Sequence, residues 1–210
     1  MKFSADMLRL YAVTDRRWLG QRTLAEAVED VIRGGVTCVQ LREKDLDRSD
    51  LLNEAALILK VCHRHHVPLI INDDPEIALQ CGADGVHVGQ KDMNPRILRA
   101  MLGPDRIVGV SAATVSEAIQ AAMEGADYLG CGAVFATGTK QNTRPVDAAL
   151  LHEICDASPV PVVAIGGINA QNAVQLKGSG IAGIAVVSAL FAQTDPAAAA
   201  KELRTISEGL

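Results

Sequence analysis

The chain has 210 residues, enough for one domain with a sizeable core. Its hydrophobic share is 49% but its aromatic share only 3%, which points to an aliphatic core of the kind found in sheets covered by helices. The formal net charge of -5 gives no support for nucleic-acid binding by bulk attraction, so any anion site must be local.

In chain order, apolar runs predict strands at 9–15, 37–43, 68–73, 85–89, 106–110, 128–135, 161–166 and 183–188. Helices are predicted between them, at 23–33, 48–65, 75–81, 94–102, 115–124, 146–156, 169–178 and 197–207. The first helix shows the periodicity well, with Leu24, Ala27, Val28, Val31 and Ile32 at helical spacing. A weak repeat marks the units. Gly34, Gly82, Gly125 and Gly180 each stand where a helix stops and a short apolar strand follows, a position that commonly takes positive φ. Alternation with short connections implies parallel strands joined by crossovers. Eight units in this length predict an α/β chain folded as a (β/α)8 TIM barrel, one catalytic domain over 1–210. The main alternative, an open doubly wound sheet, usually shows an early GxGxxG, and none follows Thr14-Asp15.

Cys38, Cys62, Cys81, Cys131 and Cys155 are odd in number and form no CxxC pair, so they read as reduced, mostly buried small residues. The first residues lack a signal-peptide core, and no apolar run approaches the roughly 18 residues of a membrane span. A cytoplasmic protein with neither membrane nor nucleic-acid partner is expected; the sequence leaves a homo-oligomer open.

The polar residues at the strand ends carry the chemistry. In a strand, side chains alternate, so Gln40 and Arg42 share a face toward the barrel interior while Leu41 faces the helices, and Lys44 continues into the loop. A buried arginine needs a partner: a bidentate phosphate, or an internal carboxylate such as Glu43. The third strand ends in Asn72, Asp73 and Asp74, and the fourth leads to Asp92. Two carboxylates at the same end of adjacent strands suit Mg²⁺ bound together with substrate. The competing role is helix capping, which fits Asp74 before Pro75. Ser111 closes the fifth strand; with no histidine beside it, it reads as a hydrogen-bond donor to an anion rather than a nucleophile. Thr137, Gly138, Thr139 and Lys140 make a loop suited to phosphate oxygens. Gly166-Gly167 leads into a predicted helix, and Val187-Ser188 ends the eighth strand, where such barrels usually bind phosphate. His63, His65 and His66 read as a surface patch at a helix C-terminus, and His87 as a satisfied barrel residue. No triad and no strand-end glutamate base are evident.

These segments, in order, resemble the thiamine-phosphate synthase family: Gln40-Leu41-Arg42-Glu43-Lys44, Ile71-Asn72-Asp73, Gly85 to Asp92, Gly109-Val110-Ser111, Thr137 to Lys140, Gly166-Gly167-Ile168 and Val187-Ser188. The resemblance spans almost the whole chain. It implies a (β/α)8 barrel and a Mg²⁺-assisted, dissociative alkyl transfer between a pyrimidine diphosphate and a thiazole phosphate. By the resemblance Asp73 and Asp92 hold the metal. Arg42, Lys44, Asn72, Ser111 and Lys140 hold the diphosphate, Arg42, Lys44, Ser111 and Lys140 acting in catalysis, and Gln40 holds the pyrimidine. Thr137, Thr139, Gly167, Val187 and Ser188 hold the thiazole phosphate. The chain departs from the family pattern at Asp74, Ala113 and Ala136, where Arg, His and Pro are frequent. Two other readings compete: a related barrel that isomerises the thiazole phosphate, and a non-catalytic phosphate-binding barrel.

Overall fold

A computed structural model describes residues 2–138 and 144–210. Eight parallel strands close into a barrel in sequence order: β1 Leu10–Val13, β2 Cys38–Leu41, β3 Leu69–Asn72, β4 Gly85–Val88, β5 Ile107–Ala112, β6 Tyr128–Cys131, β7 Val162–Ile165 and β8 Gly183–Val186. β1 pairs with β2 on one side and β8 on the other, which leaves no sheet edge. The helices are α1 Leu24–Arg33, α2 Arg48–Arg64, α3 Pro75–Cys81, α4 Pro95–Leu102, α5 Val115–Met123, α6 Ala148–Ala157, the short α7 Ser188–Phe191, and α8 Pro196–Glu208.

Strand alternation sorts the apolar residues into two cores. Leu10, Ala12, Val39, Leu41, Leu69 and Ile71 face outward and pack under the helices. Tyr11, Val13, Cys38, Ile70, Ile107, Tyr128, Val163 and Ala185 fill the interior, joined by Leu8. The predicted face of α1 is buried in full, and a capping box of Thr23 with Glu26 starts that helix. Most strand-to-helix loops likewise end on a side-chain cap: Asp47, Asp74, Asn94, Thr114, Asp147 and Asp195. Four of these caps are aspartates, Asp47, Asp74, Asp147 and Asp195, and neither Asp73 nor Asp92 is among them.

The structure corrects five expectations. No α-helix spans 169–178; only a 3₁₀ turn forms, Ala173–Leu176. Asn172 Oδ1 accepts from the Asn169 amide at 2.8 Å, and Asn169 Oδ1 from the Gln171 amide at 2.9 Å. These local bonds compete with a helical ladder. The sixth strand stops at Cys131 rather than near 135, and the fifth runs to Ala112, so Ser111 lies within it. Ser188 opens the short helix α7 instead of ending β8. At the first repeat the positive φ falls on Gly35 (112°), since Gly34 is still right-handed at -78°.

All five cysteines are free; Cys38, Cys62 and Cys131 are buried, and Cys81 and Cys155 partly so. Burial pushes the Cys62 and Cys131 thiols up to about 12. His63 meets Asp84 and His65 meets Glu29 at the end of α2, as a surface patch there would. Among the described residues no helix is long and apolar enough to cross a membrane.

Candidate active site

The strand C-termini surround a cavity of about 440 Å³. Gln40, Arg42, Asn72, Asp92 and Ser111 line it from the β2–β5 side, and Gly167, Val187 and Ser188 from the β7–β8 side. Thr137 also reaches it. Lys44 and Asp73 lie outside the lining, and Thr139 and Lys140 lie outside the described residues.

β2 ends at Leu41, so Arg42 stands one residue beyond the strand, where its amide donates to Thr14 Oγ1 at 2.9 Å. The alternative partner inferred for Arg42 is already engaged. Glu43 turns away from the cavity, with its side chain 3% exposed, and pairs with Arg16 Nε at 2.5 Å. Arg16 Nη2 holds Glu54 of α2 at 3.1 Å. Burial raises the Glu43 carboxyl pKa, with Arg16 opposing. Among the described residues neither Arg42 nor Lys44 forms an ion pair; Arg42 lines the cavity, and Lys44 stands near Asp73.

Asn72 closes β3 and donates to Asp73 Oδ2 at 2.6 Å. Asp73 takes the left-handed conformation, φ 63°, with its amide on the His87 carbonyl at 2.9 Å. Asp92 Oδ2 accepts from the Gly89 amide at 2.8 Å. The two carboxylates come close. Asp73 keeps an exposed face, yet burial of its carboxyl and then the Asp92 charge raise its pKa, while Asn72 and Lys44 act in the opposite direction. Two hard oxygen donors drawn together against their repulsion fit a divalent cation. No third His, Cys, Asp or Glu joins them among the described residues, so waters and substrate oxygens would complete a Mg²⁺ shell.

The sequence missed a hydrogen-bonded file across the barrel interior. Gln40 Nε2 donates to Tyr11 Oη at 2.9 Å, and Tyr11 Oη lies 2.7 Å from Tyr128 Oη. Tyr128 Oη is 3.0 Å from His87 Nδ1, and His87 Nε2 is 3.0 Å from Ser111 Oγ. Ser111 therefore does have a histidine beside it, contrary to the expectation. The β4–β5 register, His87 opposite Gly109, brings together residues 24 apart in sequence. Where a triad has a carboxylate, this histidine meets a phenol. Gly109 makes the file fit: a Cβ there would come within 2.2 Å of the Tyr128 ring. Strand alternation places Tyr11 and His87 inside, a signal available before the fold. Arg144 carried no such signal. It reaches the cavity because the chain folds back, the Ala133 amide donating to the Arg144 carbonyl at 3.1 Å, and it pairs with Glu117 at 2.5 Å.

The family model described as thiamine monophosphate synthase matches residues 10–190. The chain is 50% identical over 197 residues to a thiamine-phosphate synthase of Ruminiclostridium cellulolyticum, covering 94% of each chain. It is 47% identical to the Clostridium novyi enzyme of that name, covering 94% of this chain and 98% of the relative. Among solved structures, the thiamine phosphate pyrophosphorylase of Pyrococcus furiosus superposes with a TM-score of 0.90 at 34% identity, covering 97% of each chain. A 3-hexulose-6-phosphate synthase, at 19% identity and a TM-score of 0.67, covering 94% of this chain and 99% of that one, shares the fold alone. The fold and the comparisons agree, and the chain belongs to the thiamine monophosphate synthase family.

Proposed function

We propose that this chain joins 4-amino-2-methyl-5-(hydroxymethyl)pyrimidine diphosphate to 4-methyl-5-(2-hydroxyethyl)thiazole phosphate, giving thiamine phosphate and pyrophosphate. The observation that carries this reading is one cavity with two unlike anion regions. Arg42, Asn72, Asp92 and Ser111 stand on one side, and Gly167, Val187 and Ser188 on the other.

On this reading Gln40 orients the pyrimidine. Arg42, Lys44, Asn72, Ser111 and Lys140 hold the diphosphate. As the C–O bond breaks, charge grows on the departing diphosphate, and these cations and donors stabilise it. Asp73 and Asp92 would hold Mg²⁺, which when bound withdraws charge from the diphosphate oxygens. Thr137, Thr139, Gly167, Val187 and Ser188 hold the thiazole phosphate, so the thiazole nitrogen faces the pyrimidine methylene carbon. That nitrogen attacks through a lone pair and carries no proton. The chemistry therefore needs no strong base, and positioning is the main contribution of the second region.

The test is incubation with both substrates, with Mg²⁺ or with excess EDTA, following thiamine phosphate by mass. Product that requires the metal is expected. Folded protein that forms none with Mg²⁺ present would overturn the reading. Lys140→Ala should reduce turnover by about 100-fold or more while thiazole-phosphate binding stays within a few-fold. Lost thiazole affinity with turnover intact would remove Lys140 from the diphosphate.

A further inference from the structure

Each member of the interior file has limited donors, and this sets the direction of its protons. Gln40 Nε2 only donates, so Tyr11 Oη is an acceptor at that contact. Tyr11 is 1% exposed and must place its own proton on a neighbour. Among the described residues its polar neighbours besides Gln40 are the Tyr128 oxygen, at 2.7 Å, and the Cys38 thiol, a weak acceptor. Burial raises both tyrosine pKa values well above their usual range, so both stay protonated. Tyr128 then accepts from Tyr11 and passes its own hydrogen to His87 Nδ1. A neutral imidazole that accepts at Nδ1 carries its proton on Nε2. Nε2 faces Ser111 Oγ at 3.0 Å.

We propose that this file fixes Ser111 as a donor into the cavity: His87 Nε2–H donates to Oγ, so the serine hydrogen has to point elsewhere, toward an anion. Tyr11, Tyr128 and His87 are positioning residues in this arrangement, each acting through the next. The two ends agree, with an amide N–H feeding the file at Gln40 and an anion receiving its last hydrogen at Ser111. The identity of that anion as the departing diphosphate rests on the function proposed above; the proton order itself does not. The file also ties the Gln40 and Ser111 subsites together, since Gln40 keeps its carbonyl and a second N–H for a ligand while one N–H is held by Tyr11.

Nitrogen-15 labelling of the histidine rings tests the order directly, with His87→Gln used to assign the His87 signals. The expected spectrum of the resting protein shows His87 neutral, with Nε2 protonated and Nδ1 bare. Tyr128→Phe should erase that preference. A wild-type ring protonated at Nδ1, or at both nitrogens, overturns the proposal. In the coupling assay, Tyr128→Phe should lower kcat by about tenfold, the scale of one hydrogen bond, with the KM for thiazole phosphate within twofold. Adding it to Ser111→Ala should cost nothing further, because its effect passes through Ser111. Independent, multiplying losses would overturn the file as a unit. A wild type that makes no product would refute the proposed reaction, and the ring spectrum would still decide the proton order.

Discussion

Asp73 shows how much one residue carries at this site. Its φ of 63° is a conformation that costs a side chain about 1 kcal/mol, less for Asp and Asn than for others. The twist turns the carboxylate from the end of β3 toward Asp92, while Asp74 takes over the cap of α3 through the Ile77 amide at 2.9 Å. Asp73→Ala and Asp73→Gly should therefore separate two roles. Both should lose metal-dependent product formation by about 100-fold or more. The glycine variant should be more stable than the alanine variant by about 1 kcal/mol, read as a shift in the denaturant midpoint, because glycine accepts positive φ. Equal midpoints would mean that the backbone relaxes around residue 73. The sequence made the pair Asp73 and Asp92 legible as oxygen donors. It could not show the left-handed turn that points one at the other.

At the scale of elements, the two faces of the barrel divide the work. Arg99 of α4 belongs to the face opposite the cavity, where helices lead back into strands. It donates to the carbonyls of Gly103, Arg106 and Gly125 and to Asp127 Oδ2 at 2.5 Å. Asp127 also accepts from the Val108 amide at 2.7 Å, so α4, β5 and β6 are pinned at one point. Arg99→Ala should cost about 2–3 kcal/mol, the range for hydrogen bonds to a charged group, as measured by chemical denaturation. Both KM values should stay unchanged, since that face serves stability. A raised KM with an unchanged midpoint would contradict the division. Elements such as α1 were legible because Leu24, Ala27, Val28, Val31 and Ile32 recur at helical spacing. The stretch 169–178 was not, because Asn169 and Asn172 spend their side chains on nearby amides and leave only a 3₁₀ turn.

For the whole molecule, a net charge of -5 surrounds a cavity with Arg42 in its lining and Lys44 near Asp73, neither of them ion-paired among the described residues. Attraction of a diphosphate is thus a local field against an unfavourable background, and salt screens it. Calorimetric binding of pyrophosphate with Mg²⁺ should weaken by about tenfold between roughly 0.05 and 0.5 M salt. An affinity indifferent to salt would assign the anion to backbone donors instead of these cations. The sequence by itself determined the eight strands, most of the helices between them and the order of polar residues near the strand ends. Those follow from local periodicity and capping, which act over a few residues. Only the tertiary structure decided the partners: Glu43 with Arg16 instead of Arg42, His87 with Ser111, and Arg144 at the cavity. Those contacts depend on strand register and on how a loop folds back, distances between residues far apart in the chain that exist only once the barrel has closed.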